Sequence, residues 1–195
     1  MSESPLSEPL RSVAFVGDSI TAHGDWAAWF PELETHNCGI SGNKTDDLIA
    51  RIDGVVELQP DAVALLIGTN DLGARLSVEH LVRNVEFLLV HLRRDLPGTR
   101  TLVQSIMPRR REFADQIEDA NRHLRQFSPT IHAQYLDLWP ALVRDDREIN
   151  PQFSDDGLHL NDAGYVAWLG ELRPAIERLA DAPPMSNPIH VVGEQ

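Results

Sequence analysis

Gly17-Asp18-Ser19 closes an apolar run and opens what reads as a helix. A serine there can be part of a helix cap, which Asp and Ser both favour. It can also be a nucleophile held at the mouth of a sheet. A serine hydroxyl is a poor nucleophile until a neighbouring base takes its proton. The chain has eight histidines, and His159 stands three residues after Asp156. A carboxylate beside an imidazole fixes its tautomer and stabilises its protonated form. Asp155, Asp156 and His159 could instead ligate a metal, but no second His or Cys cluster accompanies them. Two more polar groups interrupt apolar stretches, Ser41-Gly42-Asn43 and Gly68-Thr69-Asn70-Asp71. Glycine lets a backbone N–H approach a substrate closely. Asn70-Asp71 can donate and accept hydrogen bonds, or can be an ordinary turn pair.

These groups lie far apart in the chain, so only a fold can gather them. Short apolar runs at 12–17, 35–40, 61–68, 100–107 and 133–138 read as buried strands. Between them, helical spacing recurs. Leu48, Ile49, Ile52, Val55 and Val56 share one face, as do Leu81, Val85, Leu88, Leu89 and Leu92 behind a Ser77 cap. Ile117, Ala120, Leu124 and Phe127 mark another helix, and a last one spans about 162–180 with an interruption expected at Pro174. Strands alternating with helices imply right-handed βαβ units and a parallel sheet covered on both faces. The expected fold is a three-layer α/β/α domain, flavodoxin-like, with about five strands in the order 2-1-3-4-5. Ligands bind such sheets at the carboxyl ends of the strands. All four polar groups fall there, since three follow a strand and the fourth precedes the last helix.

"GDSIT" (17–21), "GISGNKT" (39–45), "GTND" (68–71) and "DGLHLNDAGY" (156–165) together resemble the four sequence blocks of the SGNH hydrolases, or GDSL esterases and lipases. The pattern is similar to that of the platelet-activating-factor acetylhydrolase catalytic subunits. The resemblance implies that Ser19 is the nucleophile, His159 the base and Asp156 its orienting carboxylate. It implies an oxyanion hole made of the Ser19 and Gly42 backbone N–H groups and the Asn70 side-chain amide. Such a set needs no metal and no organic cofactor. Ile20 replaces a more usual leucine, a change expected to affect only packing. Asn43-Lys44 stand where an acidic residue and threonine are frequent, which adds a positive charge beside the site. No Gly-x-Ser-x-Gly occurs, so the α/β-hydrolase nucleophile elbow is not present.

The chain's 195 residues suit one domain. Expected boundaries are a polar extension over 1–11, the hydrolase domain over 12–180, and an extended or disordered tail over 181–195. A formal net charge of −13 argues against nucleic-acid partners. One cysteine, Cys38, excludes an internal disulfide; it is expected to be a buried small hydrophobe. With no signal-like N-terminus and no apolar stretch of about 20 residues, the expected location is the cytoplasm. A homo-oligomer is possible, and nothing in the sequence decides it.

Arg109, Arg110 and Arg111 read as a solvated loop after the fourth strand, with one of them facing an acidic substrate group as the lesser alternative. Trp26, Trp29, Trp139 and Trp168 read as core or rim packing. The function expected is a serine esterase for short-chain or acetyl esters, working through an acyl-enzyme at a shallow, open site. The competing functions are a flavodoxin-like ligand-binding domain and a catalytically weak scaffold of the same fold.

Overall fold

The alternation of strand and helix is realised in a computed structural model that describes residues 9–181. In chain order the elements are β1 (Ser12–Gly17), α1 (Ser19–Ala22), α2 (Trp26–Trp29), β2 (Glu34–Gly39), α3 (Thr45–Ile49), α4 (Ile52–Glu57) and β3 (Ala62–Leu66). They continue with α5 (Thr69–Gly73), α6 (Val78–Asp95), β4 (Arg100–Gln104), α7 (Ala114–Phe127), β5 (Gln134–Leu136), α8 (Trp139–Leu142) and α9 (Asp162–Ala180). The strands form one parallel sheet in the order β2-β1-β3-β4-β5, as expected. The C-terminal tail, from residue 182 on, lies outside the described residues, as does the extension before residue 9.

Alternation along β1 divides the core. Ala14 and Val16 join α3, α4, α6 and α7 on one face, and Val13 and Phe15 join α2, α8 and α9 on the other. Both faces are covered, as a parallel sheet requires. On the second face Phe15 stacks on Trp26 at 3.8 Å, and Trp168 meets Trp26 edge-on at 5.3 Å. This aromatic cluster lies directly beneath the turn that carries Ser19.

Three expectations need correction. The apolar face over 48–56 belongs to two short helices, not one. At Arg51 the backbone leaves helical geometry (φ −125°, ψ 8°), and its guanidinium reaches back to the sheet edge, as described below. The last helix is not interrupted at Pro174. The carbonyl that loses its helical partner belongs to exposed Gly170, where water can replace the bond, while Leu172, Ala175 and Ile176 stay buried. Finally, β2 is an edge strand with no buried residue, so Cys38 is half-buried, not fully buried. Among the described residues no helix is long and apolar enough to cross a membrane.

Candidate active site

The turn after β1 leaves no room for a side chain at its first position. A Cβ on Gly17 would stand 2.3 Å from the Leu66 carbonyl oxygen and 2.3 Å from Thr21 Oγ1. Asp18 caps α1 by accepting the Ile20 N–H at 3.0 Å. The cap is Asp18, and Ser19 is the first helical residue, buried, with its hydroxyl left free of the cap. The turn is held from outside by Tyr165, whose OH donates to the Ile20 carbonyl at 2.7 Å. The indole N–H of Trp26 donates to the Thr21 carbonyl at 2.9 Å.

Ser19 Oγ lies 3.1 Å from His159 Nε2, across 140 positions of sequence. On the far side of the ring, Nδ1 lies 2.7 Å from Asp156 Oδ2. A carboxylate on Nδ1 places the ring proton there and leaves Nε2 free to accept from the serine hydroxyl. The other Asp156 oxygen accepts the N–H groups of Leu158 and His159, each at 2.8 Å. Burial alone would raise this carboxyl. The imidazole and the two N–H donors outweigh it and hold Asp156 well below the usual carboxylate range. Buried Ser154 stabilises the same turn, accepting from the N–H of Gly157 at 3.0 Å and of Leu158 at 3.1 Å. Asp155 turns away; Oδ1 accepts from Asn161 Nδ2 at 3.3 Å.

Gly42 has φ +78°, a conformation that favours glycine. Its N–H and that of Ser19 have no acceptor among the described residues. The adjoining loop is tied at two points. Asn70 Nδ2 donates to the Asn43 carbonyl at 3.0 Å. An amide nitrogen carries two hydrogens, so one remains for another acceptor. Arg51 donates through Nε to Asn43 Oδ1 at 2.7 Å and through Nη2 to the Gly17 carbonyl at 3.1 Å, joining this loop to the serine turn. Behind Asn70, buried Asp71 accepts the Thr45 N–H at 3.0 Å and the Thr45 hydroxyl at 2.5 Å. Lys44 does not stand as a free charge, because Asp47 lies 3.2 Å from its Nζ.

The structure thus gathers Ser19, Asp156 and His159 and ties Asn70 to the Gly42-Asn43 loop. The sequence singles out neither Arg51 nor Ser154, and it gives Asn43 and Tyr165 no role beyond the motifs that contain them. Only Ser154, two residues before Asp156, carried a turn signal. Arg109 also departs from expectation. It is half-buried, stacked over the Phe113 ring at 4.1 Å, and donates from Nη1 to the Thr69 carbonyl at 2.8 Å. The site is open: the His159 side chain is 41% exposed.

Asp18 is 1% exposed, and burial pushes its carboxyl up to about 6 despite the Ile20 N–H and the nearby imidazole. A carboxyl whose folded value is raised binds its proton more tightly in the folded state. It costs nothing below about pH 4, and the cost grows as pH rises to about 6. At about 1.4 kcal/mol per pH unit the full cost is about 3 kcal/mol. Asp18→Asn keeps an acceptor for the Ile20 N–H without the charge. It is expected to raise unfolding stability by about 2–3 kcal/mol at pH 8 and by almost nothing at pH 4. Urea unfolding at both values checks this, and an equal change at both would refute it.

Residues 15–167 match the GDSL-like lipase/acylhydrolase family. A solved structure from Streptococcus pneumonia, provisionally named a platelet activating factor, is 26% identical; the alignment covers 88% of this chain and 86% of that one, with a TM-score of 0.77. A catalytic mutant of an acetylxylan esterase from Geobacillus stearothermophilus is 19% identical over 85% and 94% of the two chains, with a TM-score of 0.72. A carbohydrate esterase of family 3 from Talaromyces cellulolyticus is 20% identical over 88% and 98%, also at 0.72. The search of curated proteins gave no match.

Proposed function

The chain belongs to the GDSL-like lipase/acylhydrolase family and is a carboxylic ester hydrolase, and from that premise we propose that it cleaves short-chain or acetyl esters through an acyl-enzyme on Ser19. The observation that carries this is the relay of 3.1 and 2.7 Å from Ser19 through His159 to Asp156. His159 Nε2 takes the hydroxyl proton as Ser19 Oγ bonds to the ester carbonyl carbon. Asp156 keeps the imidazole in the Nδ1–H tautomer and stabilises the imidazolium. Negative charge moves onto the carbonyl oxygen, where the N–H groups of Ser19 and Gly42 and the remaining Asn70 amide hydrogen can receive it. As the oxyanion collapses, the C–O bond to the alcohol breaks and the imidazolium returns the proton to the leaving oxygen. Water, deprotonated by His159, then attacks the acyl carbon; the bond to Ser19 Oγ breaks, the imidazolium returns the proton to Oγ, and the acid leaves.

The short acyl preference is supported by the exposure of the His159 side of the site and by the esterases among the structural neighbours. The substrate is a small ester, and residues 12–180 form the hydrolase unit. The test is hydrolysis of p-nitrophenyl esters of increasing chain length beside acetylated sugars, with a serine-directed probe mapped by mass spectrometry. Labelling at Ser19, with rates highest for acetyl or butyryl esters, is expected. No labelling and no turnover would leave a binding module of the same fold.

The oxyanion assignment has its own signature. Asn70→Ala should lower kcat by about 10²–10³ with KM little changed, because the amide acts on charge present only in the transition state. Steady-state kinetics on p-nitrophenyl acetate checks it. Retention of full kcat would mean that other donors form the hole.

A further inference from the structure

We infer that the cleft between the β4–α7 loop and the Asp156 turn is a subsite for an anionic group, a carboxylate or a phosphate, carried by the substrate away from its reacting carbonyl. This rests on the esterase function proposed above and narrows its substrate class. The cleft encloses about 400 Å³ and includes Arg109, Arg110, Arg144, Ser154, Asp155 and Asp156 in its wall. It adjoins both halves of the proposed machinery. Arg109 holds the carbonyl of Thr69, the neighbour of Asn70, and Asp156 holds the imidazole.

The acidic groups of this wall are already engaged. Asp156 is bonded to His159 and Asp155 to Asn161. Arg144 is paired with Asp146 and lies 3.7 Å from Glu148. Arg109 and Arg110 differ. Among the described residues each makes a bond to a backbone carbonyl, and neither has a carboxylate partner. The Arg109 Nε–H is buried with no acceptor among them. Arg110 is exposed; its Nη2 reaches only the Asp156 carbonyl, at 3.4 Å, and its stem lies 3.2 Å from where a Cβ on Gly157 would stand.

A partly buried cation ordinarily recruits a counter-charge. This chain has 30 acidic and 17 basic residues, so counter-charges are plentiful, yet half-buried Arg109 and exposed Arg110 form no ion pair among the described residues, and Glu112, Asp18 and Asp156 act on Arg109 only from beyond ion-pair distance. Guanidinium forks match the paired oxygens of carboxylate and phosphate. The overall charge of −13 opposes an anion at long range. That field is screened beyond about 8 Å at physiological ionic strength, so the local pair decides once the ligand is docked.

The experiment compares kcat/KM for three acetyl esters: 4-acetoxybenzoate, 4-acetoxyphenyl phosphate and the neutral methyl 4-acetoxybenzoate. Arg110→Gln is expected to lower the ratio of anionic to neutral kcat/KM by about tenfold for at least one anion, and the ester affected names the source. Arg110→Lys, which keeps the charge and loses the fork, should fall between. A ratio unchanged within twofold for both anions overturns the subsite. Binding is read separately by titrating the Ser19→Ala protein with 4-acetoxybenzoate and with its methyl ester. Tighter binding of the anion, lost with Arg110→Gln, supports the subsite even if no ester is turned over. Neutral-ester turnover without any anion preference overturns the subsite and leaves the esterase function standing.

Discussion

Ser19→Ala and His159→Ala are each expected to lower kcat on p-nitrophenyl acetate by about 10⁴–10⁶, and the double variant is expected to be little worse than either single one. The reason is geometric. The 3.1 Å contact makes the hydroxyl and the imidazole one device. Without the base the hydroxyl keeps its proton, and without the hydroxyl the base can only assist water. What survives should come from the oxyanion donors and from substrate binding. Serine-probe labelling should disappear in Ser19→Ala and fall sharply in His159→Ala. Neither change should unfold the protein, because Ser19 makes no other side-chain bond among the described residues and the His159 ring is partly exposed. Circular dichroism on both variants checks that condition. Independent, multiplicative losses in the double variant would show that the two residues do not act together.

The parts of this molecule that could be read in the sequence are those written in local pattern. β1 and β3 are nearly continuous apolar runs, as strands buried on both faces require, and α6 and α7 repeat at helical spacing. Their packing is what the apolar faces predicted. Parallel strands with helical crossovers leave few strand orders, so 2-1-3-4-5 followed. Ser19, Gly42, Asn70, Asp156 and His159 were legible because each sits in a short motif beside an element end. What stayed hidden depends on side chains reaching across the fold. Arg51 breaks its own helix and bonds to Asn43 and Gly17, and nothing around position 51 announces such targets. Tyr165 closes the fourth block with no contact readable from the motif, yet its hydroxyl reaches across 145 positions to Ile20. Pro174 misled because proline was weighed by propensity, while the exposure of Gly170 and the burial of Leu172 and Ile176 decide whether the helix continues. Arg109 misled because charge was equated with solvent, while an aromatic face and a carbonyl were waiting for it.

The adjacent aspartates give the second large effect. Asp156→Asn is expected to lower kcat by about 10²–10⁴ with little loss of fold, and Asp155→Asn by less than about threefold. The two side chains do different work. Asp156 faces the imidazole at 2.7 Å, and its second oxygen receives two backbone N–H groups. Among the described residues the Asp155 side chain bonds only to Asn161, the residue that caps α9. An amide at position 156 can present its oxygen to the two N–H groups, so the turn should persist. Its NH₂ then faces the ring, favours the tautomer with Nδ1 unprotonated, and leaves the Nε2 proton pointing at the serine. It also supplies no charge to stabilise the imidazolium. At position 155 an amide still accepts from Asn161. Rising pH should not rescue Asp156→Asn, because the missing charge cannot be restored by titration. Kinetics of both variants from pH 6 to 9, with thermal melts alongside, separate catalysis from folding. Equal activities would refute the division of roles, and so would a structure in which Asp155 replaces Asp156 on the ring.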